Sequence, residues 1–480
     1  MSLGLILCGL GLPQAQAQPR SRVQPGSLWA AWLAARRFDP QFREARARLA
    51  ATRTRRPAAL AGLLPRLSLD ADRLYTNAWS VGPEFYGSSL LTVEQSENTS
   101  QSYWTVTLTQ PLFSWTAIEK LASANAAVAA AGATYTATRM ALMRSLVRRY
   151  LAVLVAQSQL LATRKTERAF AIEAEQARAR HKAGLRGIIG FEEARSAEAS
   201  AQARVIDARR ELRQALSSLA ELTGPSFRPD LAARTSSIPL IPLPPLRPRQ
   251  WVHAARLANP VVVAARLKAR SAHAEVSAAR GGYWPSIRVQ VSHTRNLTGG
   301  TYGYAVPGVL DLPAPAANTA QQNLILLNLH WNFYAGGGTN ASVDRAADEY
   351  TLAREQAARA ALRSEAQAER ALSALHADFA DLHAYEESVV AAHRAVTATQ
   401  DGVKAGLRSE FDLVNARLAL LSAETHLPQV QAAVINDALA LESTAGLLTP
   451  LSLLTLSKMF QSETGMETTV IPPIHPQALR

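Results

Sequence analysis

Two long stretches of the chain carry apolar residues at helical spacing and are almost free of proline. The first has no proline between Pro111 and Pro225 and consists mainly of Ala, Arg, Glu, Leu and Gln. A helix over residues 116–180 alone would be about 100 Å long at ~1.5 Å per residue. Apolar residues recur every seven positions: Met140, Val147, Leu154 and Leu161 in the first stretch, and Leu375, Leu382, Val389, Val396 and Val403 in the second. This spacing predicts long helices that pack against each other and against other subunits.

Shorter segments alternate apolar and polar residues, which predicts β-strands. The four clearest lie at about 67–76, 103–113, 286–295 and 323–333. Aromatic residues lie within or beside them: Tyr75, Trp79, Tyr103, Phe113, Trp115, Trp331, Phe333 and Tyr334. A strand that crosses a membrane needs about 9–11 residues, with aromatic girdles at both interfaces, whereas a half-buried sheet outside a membrane has the same period. The polar segments 76–102 and 295–322 are predicted to be long loops, which favours membrane strands.

These elements occur twice in the same order. The pentapeptide Lys-Ala-Gly-Leu-Arg stands at residues 182–186 and again at 404–408, an offset of 222 residues. Other landmarks keep an offset of 220 to 222 residues: Asp39-Pro40 with Asn259-Pro260, Pro65 with Pro285, Phe113 with Tyr334, and Gly224 with Gly446. A shared order and spacing of unrelated landmarks indicates an internal duplication. We interpret each pentapeptide as the turn at the far end of a long helical hairpin.

Capping residues predict where several helices begin and end. Ser27 is a good N-cap, and both Asp39-Pro40 and Asn259-Pro260 place a capping acceptor before a proline at the first helical position. Residues 409–412 form a capping box that restarts a helix after the second turn. Pro428 lies within the return helix that follows and is predicted to kink or break it.

The predicted organisation therefore has five parts. They are a signal peptide at 1–17, a first repeat at 18–224 with a helical hairpin at about 114–224, a Pro-rich linker at 225–249, a second repeat at 250–449 with a hairpin at about 335–446, and a C-terminal tail at 450–480.

Charge and cysteine content narrow the classes of function. The formal net charge is +13, but the Arg residues are spread along the predicted helices among Ala and Glu, which is typical of solvated helix faces. The single cysteine, Cys8, lies in an apolar run before Ala15-Gln16-Ala17. We interpret this as a secretory signal with an A-x-A cleavage site, and acylation of Cys8 is the alternative. No later stretch has the ~20 consecutive apolar residues of a membrane-spanning helix.

No constellation of residues predicts catalysis. His376 and His383 are seven residues apart, so they do not form the i, i+4 pair of a helical metal site. The sequence has no phosphate-binding loop and no G-x-S-x-G segment. Without cysteine in the mature chain, thiolate metal sites are excluded. We therefore expect neither enzyme activity nor a cofactor.

The ordered, duplicated set of elements resembles the TolC family of outer-membrane channels over about residues 27–449. The resemblance implies a mixed α and β membrane protein that forms a homotrimer. Each chain would supply four transmembrane strands to a twelve-stranded barrel in the outer membrane of a Gram-negative type cell. The long helices would form a periplasmic α-barrel. The implied surroundings are outer membrane lipid, with no nucleic acid.

The resemblance also assigns roles to the turns. Ala183-Gly184-Leu185 and Ala405-Gly406-Leu407 are similar to the family's Val-Gly-Leu tip motif, which meets a periplasmic adaptor, with Ala in place of Val. Asp412 aligns with an acidic residue that rings the tunnel entrance, and Asn415 stands where some members carry a second acid. Arg408 aligns with an arginine that ties the closed entrance. For Asp412 the capping box is an alternative role, and for the glycines a tight turn is sufficient.

The implied function is a passive exit duct for a tripartite efflux pump or a type I secretion system. It would work with an inner-membrane transporter, directly or through the adaptor. A periplasmic adaptor is the alternative, although adaptors usually carry one helical hairpin per chain, which the duplication disfavours. A third interpretation is a coiled-coil scaffold or basic nucleic-acid binder, which the signal-like N-terminus and the strand pairs disfavour.

Overall fold

The computed structural model describes residues 26–184, 187–229, 247–307 and 310–460. The proposed signal peptide 1–17 and most of the linker 225–249 lie outside these residues. The chain divides into two compact units. The helical unit comprises the described parts of 1–43, 138–253 and 366–480, and the sheet unit comprises those of 44–137 and 254–365.

Most of the described chain is helical. The α-helices are α1 (Leu28–Phe38), α2 (Pro40–Arg53), α3 (Arg55–Ala61), α4 (Trp115–Lys182), α5 (Ile188–Thr223), α6 (Pro248–Ala258), α7 (Pro260–Arg280), α8 (Gly338–Lys404), α9 (Glu410–Thr444) and α10 (Pro450–Met459). The order of helices and strands repeats in the two halves, as the duplication predicts. Among the described residues, none of these helices combines the length and the apolar character needed to cross a bilayer.

The predicted helix starts are confirmed. Ser27 Oγ accepts a hydrogen bond from the amide of Ala30 at 3.2 Å at the start of α1. Asp39 Oδ2 accepts from the amide of Phe42 at 2.8 Å. Asn259 Oδ1 accepts from the amide of Val261 at 2.8 Å, with Pro260 at the first helical position. Each cap satisfies an amide that has no partner within its helix.

Pro428 does not break the return helix, so that part of the prediction is wrong. Helix α9 continues from Glu410 to Thr444 with Pro428 inside it. Proline removes one backbone donor, but both sides of the helix are held by their own packing. Leu421 and Ala423 are buried before the proline, and Ala432 and Val434 are buried after it.

The heptad positions are mostly buried, as predicted. Met140, Val147 and Leu154 are buried on α4, and Leu375, Leu382, Val396 and Val403 are buried on α8. Leu161 is exposed, and Leu160 is buried in its place. A straight helix drifts by about 20° per seven residues, so an exact seven-residue spacing does not stay on one face along the whole of α4.

The sheet unit contains one antiparallel sheet. Its strands are β1 (Arg66–Tyr86), β2 (Ser89–Phe113), β3 (Ser286–Val306), β4 (Leu310–Pro315) and β5 (Asn318–His330). The order is β1-β2-β3, and both β4 and β5 pair with β3 on its other side. Because β4 and β5 lie one after the other beside β3, the sheet is four strands wide. We call these the four positions of the sheet, and the fourth is interrupted at residues 316–317.

The strands are much longer than the sequence pattern predicted, and the expected long loops are wrong. β1 and β2 pair from Arg66 to Tyr86 and are joined by Gly87 and Ser88 alone. Gly87 has φ +64°, the left-handed conformation that a tight hairpin turn needs. Most of 76–102 and 295–322 is strand. The alternation fades there because polar residues occur on both faces of the sheet.

Prolines occur in the two strands at the edges of this sheet. Pro83 lies in the part of β1 nearest the hairpin turn, and Pro313 and Pro315 lie in β4. Proline has no backbone N–H and is tolerated at the edges of sheets.

Candidate functional site

One face of the sheet carries a continuous group of apolar side chains. Cross-strand pairing places Leu67, Leu108, Val291 and Ile325 in one row across all four positions. With the neighbouring rows these form the apolar band: Leu67, Leu69, Val106, Leu108, Ile287, Val289, Val291, Ile325, Leu327 and Leu329. Leu67 is 70% exposed and Ile325 is 78% exposed. An exposed apolar surface of this kind marks an interaction with a partner or a membrane.

The opposite face of the same strands is mainly polar. The residues that alternate with the apolar band include Asp70, Thr105, Gln290 and Asn328. Thr105 and Thr294 share a hydrogen bond of 2.9 Å between their hydroxyl groups on this face. One apolar face and one polar face on strands of this length fit a wall between lipid and water.

The first predicted tip follows α4. The structure describes Ala183 and Gly184, and Leu185 lies outside the described residues. The Gly184 amide donates to the His181 carbonyl at 3.0 Å, and its φ of +70° reverses the chain. No atom lies within 4 Å of the position that a Cβ on Gly184 would take. The glycine is therefore required by its backbone conformation and not by close packing.

The second tip is fully described and leaves an apolar side chain in solvent. Gly406 has φ +76°, and the amide of Leu407 donates back to the Gly402 carbonyl at 2.8 Å. The amide of Ala405 donates to the Asp401 carbonyl at 3.0 Å, which closes the last turn of α8. Leu407 is 82% exposed. A fixed turn thus presents a leucine at the end of the hairpin.

Asp412 and Ser409 form the predicted capping box at the start of α9. The Ser409 amide donates to Asp412 Oδ2 at 3.0 Å, and the Asp412 amide donates to Ser409 Oγ at 3.1 Å. The backbone hydrogen bond from Ser409 lowers the pKa of Asp412, and the Ser409 hydroxyl and Arg408 act in the same direction. Asp412 therefore keeps its negative charge. It lies close to Arg408 and follows the second tip directly along the chain.

Asn415, the third predicted entrance residue, lines a groove. The groove has a volume of about 600 Å³ and lies between α4, α5 and α9. Its apolar lining includes Phe170, Ile188, Ile189, Phe411 and Leu418. The structure thus brings together Arg408 and Asp412 of the three predicted entrance residues, and the third lines this groove.

Two partly buried ion pairs join α4 to α9 near the tips, and no pattern in the sequence indicates them. Arg180 donates to Glu410, and Arg417 donates to Glu173. Both glutamate side chains are only 9% exposed. The partners are 230 and 244 residues apart in the chain, so no local spacing relates them.

The environment of Glu173 opposes its ionisation. Burial raises the pKa of Glu173, and the nearby Glu410 adds to this, whereas the charge and hydrogen bond of Arg417 lower it again. The Arg417 guanidinium is therefore the group that keeps a negative charge tolerable at this position.

A third buried carboxyl lies on α9. Glu442 is 8% exposed, and its Oε2 has no hydrogen-bond partner among the described residues. Burial raises the pKa of Glu442 to about 7, although a hydrogen bond with Ser452 of α10 acts against the shift. Between pH 4.5 and 7 the folded chain holds a proton here that the unfolded chain releases, so stability falls as the pH rises through this window.

We expect Glu442→Gln to stabilise the protein at pH 8 and to have little effect at pH 4. The gain at pH 8 is expected to reach about 3 kcal/mol, because one pKa unit corresponds to about 1.4 kcal/mol. Thermal unfolding of both proteins over this pH range measures it. Glu387→Gln, on a side chain that is 75% exposed, is the matched control and should leave the pH profile unchanged. A gain of equal size at pH 4 would contradict the role of ionisation.

Known proteins match this chain over most of its length. The family described as "outer membrane efflux protein" matches residues 34–225 and 251–447. The outer membrane protein TolC of Escherichia coli is 24% identical, with 98% of this chain and 92% of the relative covered. The alkaline protease secretion protein AprF of Pseudomonas aeruginosa is 24% identical, with 82% and 79% covered.

A solved structure shares the fold. The outer membrane channel CmeC of Campylobacter jejuni matches with a TM-score of 0.70 at 13% identity, and the match covers 95% of this chain and 98% of that one. At this identity the likeness concerns the fold alone.

Proposed function

The chain belongs to the outer membrane efflux protein family, and from this premise we propose that three copies form a passive duct that docks on a periplasmic adaptor through its helical tips. Membership makes it an outer membrane protein and an exit duct of the kind that serves efflux and type I secretion. The alternative of a periplasmic adaptor is not supported, because the family matches both halves of the chain. The non-enzymatic role expected from the sequence agrees with this family.

The observation that carries the proposal is the two-sided sheet. Its apolar band faces lipid and its polar face lines a water-filled passage. The first and fourth positions of the sheet each have a neighbour on one side only among the described strands. In a membrane such edges must be paired, which a closed barrel achieves. Three chains, each with a sheet four strands wide, would form a barrel of twelve strands.

The tips are the proposed docking sites for the adaptor. Leu407 is the exposed apolar residue that a partner would cover, and Gly406 fixes the turn that presents it. Ala183 and Gly184 take the equivalent place in the first half, with Leu185 beyond them. The adaptor in turn links the duct to an inner-membrane transporter, while the cargo passes through without chemical change.

Three copies of Asp412 are proposed to form a negative ring at the entrance. Ionised carboxylates around a narrow axis attract cations and repel anions. Arg408 lies beside each of them and moderates the potential. Asn415 lies one turn further along α9 and adds no charge, so the ring has one carboxylate per chain.

Asp412→Asn is expected to reduce the cation selectivity of the open channel without loosening α9. An Asn side chain keeps an oxygen that can accept from the Ser409 amide, so the cap is retained while the charge is lost. Reversal potentials in planar bilayers under a salt gradient measure selectivity. Asp401→Asn, on an exposed carboxylate at the end of α8, is the control. Unchanged selectivity in Asp412→Asn would contradict the ring and leave Asp412 as a cap only.

The duct itself is tested by fractionation and conductance. We expect recovery in the outer membrane, migration as a heat-sensitive trimer after detergent extraction, and small conductance steps in planar bilayers. Recovery of a monomer without conductance would refute the proposed duct.

A further inference from the structure

Two arginines stand on the lipid-facing side of the sheet at one end of the apolar band. Arg295 of β3 lies two residues beyond His293, on the side towards the hairpin turns, and directly opposite Trp104 of β2. Arg73 of β1 lies on the same face, two residues beyond Ala71, which pairs with Trp104. Alternation along a strand puts all of these side chains on the face that carries Leu67 and Leu69.

Neither arginine has an acidic partner among the described residues. Within the part of the chain that the structure describes, no ion pair involves Arg73 or Arg295, and the nearby Asp70 and Asp72 alternate onto the opposite face. Arg295 Nε is buried and lacks a hydrogen-bond partner. The Arg73 guanidinium lies 5.0 Å from the centre of the Tyr75 ring. Two positive charges therefore share one face, and neither has an ion-pair partner among the described residues.

The tryptophan between them is held in place. The Trp104 and His293 ring centres are 5.2 Å apart. His293 Nδ1 lies 2.7 Å from Oδ1 of Asn323 on the neighbouring strand β5, and this hydrogen bond holds the imidazole in place. Trp104 thus has a defined orientation beside Arg295. Tryptophan is favoured where hydrocarbon meets head groups.

The position of the arginines agrees with a membrane boundary. From Ile287 to Arg295 the strand extends about 27 Å at ~3.4 Å per residue, or about 20 Å across a membrane at the usual strand tilt. A guanidinium is unfavourable in the centre of the hydrocarbon and tolerated at the interface. The helices α3 and α4 adjoin the strand ends at Arg66 and Phe113, and the arginines lie further towards the hairpin turns. In the proposed duct this is the interface with the outer leaflet.

The spacing suits one head group. Arg73 lies on β1 and Arg295 on β3, so two strand spacings separate them across the sheet. Arg73 is also two residues further along than Ala71, the β1 residue in the row of Arg295, so the two Cα atoms are about 12 Å apart. Two long side chains can converge across this gap, with Trp104 between them. Arginine donates two parallel hydrogen bonds to a phosphate, and its charge is permanent.

We propose that Arg73, Trp104 and Arg295 form an external site for the phosphorylated head group of an outer-leaflet lipid. The site rests on the proposed duct, because only a membrane-inserted sheet presents this face to lipid. Each of the three copies carries one site. The bound lipid neutralises both arginines and anchors the barrel at a defined depth.

The test is lipid binding to purified trimers. Bis-phosphorylated lipid A is titrated into detergent-solubilised protein, and bound copies are counted by native mass spectrometry. Arg73→Gln/Arg295→Gln is expected to weaken binding at least tenfold. The matched control is Arg66→Gln/Arg288→Gln, which removes two arginines from the opposite face of the same strands and should bind as the wild type does. Dephosphorylated lipid A should bind the wild type as weakly as the double variant binds the intact lipid.

Each outcome bears on the site separately from the duct. Trimer migration and conductance of the wild type test the duct before any lipid is added. Given a wild-type trimer, equal affinity of the double variant, or equal affinity for lipid A without phosphates, would overturn the site. If the glutamine variant fails to assemble, Arg73→Lys/Arg295→Lys keeps the charges and loses the paired hydrogen bonds. It is expected to weaken binding at least threefold, and wild-type affinity would overturn the site.

Discussion

Replacing Leu407 by Asp is expected to abolish export while leaving the duct assembled. Leu407 is 82% exposed at a tip, and a substitution there removes no packing within the chain. Docking would bury the leucine, which contributes about 2 kcal/mol, whereas an unpaired carboxylate in the same contact is strongly unfavourable. In the proposed trimer three copies of this tip would engage together, so the loss would multiply across the assembly. Export is measured in cells that carry only the variant chain, as accumulation of a dye that wild-type cells expel.

Two controls make this result specific to docking. Leu407→Met keeps an apolar side chain of similar volume and should export as the wild type does. Trimer migration and bilayer conductance of Leu407→Asp should match the wild type, because they do not involve the adaptor. Normal export by Leu407→Asp would exclude this tip as a docking site. Loss of the trimer would instead show that Leu407 supports assembly.

Replacing Arg417 by Met is expected to destabilise the helical unit strongly. Removal of one partner from a buried ion pair costs about 3–5 kcal/mol, because the other charge stays buried. Here Glu173 is left without the group that counteracts its burial, and Glu410 lies nearby. Loss of Arg417 raises the pKa of Glu173 further, so the folded state binds a proton more tightly than the unfolded state. The deficit in thermal unfolding should therefore be larger at pH 8 than at pH 5.

A second substitution tests the cause. Glu173→Leu in the Arg417→Met background removes the stranded carboxylate, and well-packed apolar residues often replace buried ion pairs without loss of stability. We expect the double variant to recover most of the lost stability and to lose the pH dependence. Arg210→Met breaks an exposed pair with Asp207 and should change stability by less than about 1 kcal/mol. A double variant as unstable as Arg417→Met would show that packing of the arginine stem is the main contribution.

The sequence predicted the elements whose signals are local. The caps at Ser27, Asp39 and Asn259 follow from side-chain acceptors beside free amides, and the structure has them. The capping box at Ser409 and Asp412 is of the same kind. The duplication is visible because unrelated landmarks keep an offset of 220 to 222 residues. Roles at the tips were available only through the family resemblance, because a glycine turn has the same sequence whether or not a partner binds it.

The rest depended on contacts that sequence spacing does not encode. The sequence predicts loops for the outer parts of β1 and β2, because polar residues such as Asn77 and Ser80 interrupt the alternation there. Backbone pairing continues through these parts, and Gln95 of β2 donates a side-chain hydrogen bond to Glu84 of β1. The Glu173–Arg417 pair joins helices from opposite halves of the chain. The arginines at 73 and 295 look like ordinary strand residues until the register places them on one face.

The prolines in the edge strands have a consequence for chains that have not yet met their partners. A single copy in the periplasm exposes two sheet edges, and unprotected edges recruit other extended chains into aggregates. Pro83 in β1 and Pro313 and Pro315 in β4 supply no N–H, so the outer stretches of both edges are poor templates for mispairing. Productive pairing is left to β5 and the facing part of β1, where the apolar band is. In the proposed trimer, assembly would thereby begin at the membrane-embedded part of the seam.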